Sequence, residues 1–157
     1  MSKRSPTILA GLIGLLLFPL ALTAADANPP VVAAIAQGRA SAVRDLIASG
    51  ADPNAANSVG RPGLVIAAAM GSRRIVQALI VGGADVNAVD AAGNSALMEA
   101  AARGQMEILE LLIRAGADLN LANKAGQTAL KRAGLAKQEQ AGKRLSEAGA
   151  TEGEPAP

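Results

Sequence analysis

Aliphatic stripes return along this chain at one fixed spacing. Ala42, Val43, Leu46 and Ile47 form the first, Ile75, Val76, Leu79 and Ile80 the second, and Ile108, Leu109, Leu112 and Ile113 the third. In each, the apolar positions fall at i, i+1, i+4 and i+5, which puts them on one face of a helix. Before each stripe runs a shorter, alanine-rich segment, at residues 31–37, 64–70 and 97–103. Alanine is the best helix former and leaves room for close neighbours, so the pattern predicts a short helix followed by a longer one, here 41–49 in the first copy. A fourth copy keeps Leu130, Ala133, Ala141 and Leu145 but fills its remaining positions with Lys131, Arg132, Lys137, Glu139, Lys143 and Arg144.

The step between copies is 33 residues, as Leu46, Leu79, Leu112 and Leu145 show, and no insertion interrupts it. Gly60, Gly93 and Gly126 keep the step, as do Gly50, Gly83, Gly116 and Gly149. The first set predicts tight turns before the short helices. The second sits where a left-handed residue closes a helix. Asp52, Asp85 and Asp118 repeat too, with Asn87 and Asn120 two residues beyond the latter pair. Repeated carboxylates invite a catalytic reading, but such side chains commonly bond to nearby backbone and hold turns, so a structural role is expected. A strict period of this length is the mark of a solenoid whose units are stable only when stacked.

The turn-and-helix stretch Gly93-Asn94-Ser95-Ala96-Leu97-Met98-Glu99-Ala100-Ala101, repeated as Gly126-Gln127-Thr128-Ala129-Leu130-Lys131-Arg132-Ala133-Gly134, resembles the signature of ankyrin repeats. The histidine of that signature is missing from every copy. The resemblance implies an all-α solenoid of about four helix-turn-helix repeats with β-turn fingers, at about 28–55, 56–88, 89–121 and 122–151. The first, lacking a finger, and the polar fourth would act as caps, followed by a disordered tail at 152–157. The resemblance also implies binding of another protein through finger tips and short helices. By repeat position the matching residues are Ser58, Val59, Arg61, Met70, Ala92, Asn94, Arg103, Lys124 and Gln127.

Composition narrows the chemistry. The chain has 157 residues, no histidine, no cysteine and a single aromatic, Phe18. Without His or Cys there is no ordinary zinc site and no histidine acid–base pair. No glycine-rich phosphate loop or nucleophile elbow appears either, so neither an enzyme nor a cofactor is expected. Glu99, Glu107 and Glu110 read as a solvated face. Fifteen basic and thirteen acidic residues give a net charge of +2. With no basic stripe and no stacking aromatics, nucleic acid is not an expected partner.

Residues 1–27 stand outside the period. Lys3 and Arg4 precede an apolar run at 8–22, and Ala25-Asp26-Ala27 and Thr23-Ala24-Ala25 offer small-residue cleavage sites. The run is shorter than the ~20 residues of a spanning helix, and the three-part pattern is that of a secretory signal peptide. Cleavage after Ala27 or Ala25 is expected. Loss of residues 1–27 removes Lys3, Arg4 and Asp26, which leaves a net charge of +1 and no electrostatic reason to bind a membrane. The expected function is that of a monomeric, non-catalytic interaction module of the bacterial periplasm. It is similar to short periplasmic ankyrin proteins, some of them linked to peroxide defence. Two alternatives stand beside it: an immunity protein against a toxin delivered to that compartment, and a scaffold tethered by an uncleaved N-terminal helix.

Overall fold

The computed structural model describes residues 28–153. The apolar run, its cleavage sites and the last four residues lie outside that range. The described chain forms eight helices in two alternating lengths: α1 (Pro30–Ala36), α2 (Ala40–Ala48), α3 (Gly63–Ala69), α4 (Arg73–Val81), α5 (Ala96–Ala102), α6 (Met106–Arg114), α7 (Ala129–Leu135) and α8 (Glu139–Glu147). Each begins within a residue of the position expected from the stripes, which is the ordinary scatter of helix ends.

Two layers result. The short helices α1, α3, α5 and α7 pack in chain order, and the long helices α2, α4, α6 and α8 pack beside them. Between the helices of a pair the backbone turns through a left-handed residue. Gly38, Gly71 and Gly104 fill that place in the first three pairs, and Lys137 takes it in the fourth at φ 56°. For a residue with a Cβ this conformation is strained, so the fourth pair has lost a local stabiliser and kept the geometry.

Every long helix closes in the same way. In α2 the Gly50 N–H donates to the Ile47 carbonyl at 3.0 Å and the Ala51 N–H to the Leu46 carbonyl at 2.9 Å. This is a Schellman closure around a left-handed glycine. The Leu79, Leu112 and Leu145 carbonyls accept the same bond in α4, α6 and α8. The repeated leucine therefore works twice, with its side chain in the core and its carbonyl in the cap.

The repeated Asp and Asn residues join neighbouring repeats. Asp52, Asp85 and Asp118 each accept the N–H of the asparagine two residues on, at 2.8–2.9 Å. Those asparagines reach forward. Asn54 Oδ1 accepts the Asp85 N–H at 2.7 Å, Asn87 Oδ1 the Asp118 N–H at 2.8 Å, and Asn120 Oδ1 the Thr151 N–H at 2.8 Å. A polar ladder thus runs along the stack, as expected of side chains that compete for nearby backbone.

The core is aliphatic. Leu64, Ala67, Ala68, Ile75, Val76, Leu79, Leu97, Ala100, Ala101, Ile108, Leu109 and Leu112 are buried. Leu46 and Ile47 are only half-buried, while Val43 on the same helix is fully buried. The C-terminal repeat departs from expectation. Its polar sequence suggests that Leu145 keeps one side open to water, yet Leu145 is fully buried. Helix α8 turns Ala141 and Leu145 inward and presents Lys143, Ser146 and Glu147 to solvent.

Candidate protein-binding surface

Three fingers project before the short helices α3, α5 and α7, and each is built on one side chain. Asn57 Oδ1 accepts the N–H groups of Val59 at 3.2 Å and Arg61 at 2.8 Å. Asp90 does the same for Ala92 and Asn94, and Asn123 for Ala125 and Gln127, at 2.9–3.0 Å. Gly60, Gly93 and Gly126 turn each tip at positive φ. At Gly93 a Cβ would come within 3.0 Å of the Lys124 backbone nitrogen of the next finger, so the second and third fingers stack backbone against backbone. The Lys124 N–H donates to the Ala92 carbonyl at 3.0 Å.

The repeat-position candidates fall into two groups. Ser58, Val59, Met70, Ala92, Arg103 and Lys124 are exposed. Val59 is 71% exposed at a finger tip and Met70 45% exposed at the far end of α3. The others are engaged inside the molecule. Asn94 Oδ1 accepts from Asn123 Nδ2 and from Arg132 Nη1, both at 2.9 Å. Gln127 Oε1 accepts from Asn123 Nδ2 at 3.2 Å. Arg61 lies half-buried with Nε 3.9 Å from Asp90 and Nη2 3.7 Å from Glu99.

Glu99 corrects the sequence expectation. It does not belong to a solvated face: it is 6% exposed on α5. Three arginines surround its carboxylate. Arg132 Nη1 donates at 3.1 Å, Arg103 Nε at 3.4 Å, and Arg61 Nη2 stands 3.7 Å away. These come from three successive repeats, so one carboxylate ties α3's finger, α5 and α7 together. A buried carboxylate needs such partners. The signal was present in the sequence, since Glu99 is the one acid inside an alanine-rich short helix, between Met98 and Ala100. Glu110 departs from expectation as well. It is half-buried and bonded by Arg144 of α8, with Arg114 at 4.0 Å. The Arg144 hydrogen bond holds the Glu110 carboxyl below its ordinary range, against the opposing effect of desolvation. Glu107 alone keeps the expected exposure, 3.4 Å from Arg73.

The surface that results offers two large apolar side chains and a set of guanidinium and ammonium groups. Exposed apolar groups rimmed by charge are a feature of protein contacts. No curated protein matches the chain. A family model described as ankyrin repeats in three copies matches residues 31–123 and 64–153. With eight helices paired in this register, and that match over most of its length, the chain belongs to the ankyrin-repeat family.

Proposed function

We propose that this protein is a non-catalytic adaptor that acts in the bacterial periplasm and grips one partner protein with its fingers and short helices. The observation that supports this most is the exposure of Val59 at a finger tip and of Met70 at the far end of α3. Both are apolar, and water gains nothing by their display. Arg103, half-exposed beside its Glu99 bond, supplies oriented donors to the same face. Ser58, Ala92 and Lys124 complete the contact, while Arg61, Asn94 and Gln127 hold it in shape. The N-terminal pattern supports export through a cleaved signal peptide, with the mature chain beginning at Asn28 or Asp26. A role in peroxide defence rests on the family-level resemblance to short periplasmic ankyrin proteins alone.

Two measurements test this reading. Intact mass of protein from the cell envelope should show the shortened chain, and a full-length species in the inner membrane would favour a tethered scaffold instead. Capture of the partner should be lost in Val59→Ser combined with Met70→Ser. Truncating a central apolar anchor typically costs about 2 kcal/mol or more, roughly thirtyfold in affinity. Both residues are exposed, so helical circular dichroism and melting should not change. Undiminished capture by that double variant would refute the assignment of this face.

A further inference from the structure

The long helices carry a second feature that the fingers do not explain. Helices α2 and α4 enclose a groove of about 1370 Å³ that runs from Arg39 and Arg73 at one end to Val81 and Gly82 at the other. Ile47 lines it and packs against Gly82, where an added Cβ would meet Ile47 Cγ2 at 2.7 Å. Val81, 82% exposed, stands at its mouth. Arg39, Arg44, Arg73 and Arg74 line it, with Glu107 as the one lining acid. Four cations to one acid is a local excess larger than the +2 of the whole chain.

Arg39, Arg73 and Arg74 stand at helix N-termini, where their charge works against the helix dipole. A helix N-terminus carries partial positive charge and favours Asp or Glu. Helices α6 and α8 follow that rule with Glu107 and Glu139 in their first turns. Helix α4 instead begins Arg73-Arg74, and α2 follows directly on Arg39, with no acid in either first turn. Arg73 finds Glu107 at 3.4 Å. Among the described residues Arg44 and Arg74 have no carboxylate within 4.0 Å. A local choice that disfavours the fold is expected where function requires it.

We infer that this groove is a second docking surface, and that it receives an acidic segment of a partner protein with apolar side chains seated on Ile47 and Val81. It is an open groove along two helices, which suits a length of polypeptide. No aromatic lines it, so it lacks the stacking platform of a single-stranded nucleic acid site.

Fluorescence anisotropy on residues 28–157 tests the inference with a short labelled peptide of alternating glutamate pairs and leucine pairs. Saturable binding that weakens with salt is expected. Arg44→Glu with Arg74→Glu should lower affinity about tenfold or more, and Arg44→Gln with Arg74→Gln should lower it by less. Both pairs are exposed, and circular dichroism checks that they fold. Val59→Ser with Met70→Ser should leave this binding unchanged, so failure here is separable from failure of the finger surface. Absence of binding would overturn the inference. So would equal binding of a glutamine-leucine peptide, or binding of phosphatidylglycerol vesicles in place of the peptide.

Discussion

Glu99 shows how one side chain can organise a surface without touching a partner. Its carboxylate accepts from arginines of two repeats and stands close to a third. Removing it leaves Arg132, the most enclosed of the three, without its charge partner. Breaking a fully buried pair costs about 3–5 kcal/mol. Arg61 and Arg103 can turn toward solvent, so Glu99→Ala should cost less, roughly 2–3 kcal/mol, read as a lower urea midpoint. A midpoint equal to the wild type's would show that the arginines need no acid. Glycines offer a second test at this scale. Gly134 and Gly142 lie within helices, and a Cβ there meets nothing closer than Leu130 Cδ1 at 3.9 Å. Each change to alanine should therefore stabilise by about 1 kcal/mol. Gly82→Ala should destabilise instead, by about 1–3 kcal/mol, because its Cβ would press on Ile47. Thermal melts of the three variants rank these effects, and a loss of stability in Gly134→Ala would contradict the open space described around it.

At the scale of the element, each long helix is held by a leucine that both packs and closes it. Leu112 and Leu145 are equally buried, so Leu112→Ala and Leu145→Ala should each cost about 2–5 kcal/mol. A near-neutral Leu145→Ala would restore the half-open end that the polar sequence suggested. Between α6 and α8 the chief tie is polar, from Arg144 to Glu110. The Glu110 carboxyl is held below its ordinary range in the fold, so the stability it adds is present above the unfolded value of about 4.3. That contribution fades as the pH falls through the lower, folded value. Glu110→Gln should lower stability at neutral pH and flatten the loss on acidification, which urea melts at several pH values will show. An acid loss identical to the wild type's would assign that loss to other carboxylates. How far the sequence reveals such detail depends on the range of the interaction. Helices, closures and turns follow from spacing, because each is settled within a few residues. The Asp and Asn ladder was legible as turn chemistry but not as a link between repeats, since its partner is 31 residues away. Glu99 and Glu110 were misread for the same reason: their arginines come from other repeats, and charge alone does not say which residue it will meet.

For the whole molecule, stacking turns four weak units into one surface. No single repeat buries its stripe, so stability is shared between neighbours. The second and third fingers are tied by the backbone bond from Lys124 to Ala92. Of the positions selected by repeat number, the exposed ones remain available to a partner, while Asn94 and Gln127 serve the scaffold. Repeat arithmetic selects positions of one register and does not separate exposed residues from those that serve the scaffold, because both occur at the same register. Hydrogen–deuterium exchange on the protein, free and bound to its captured partner, measures the central claim directly. Added protection should appear in residues 57–61, 90–94 and 123–127 and at the ends of α3 and α5, around Met70 and Arg103. Protection confined to α6 and α8, with the fingers unchanged, would contradict partner binding by the finger and short-helix face.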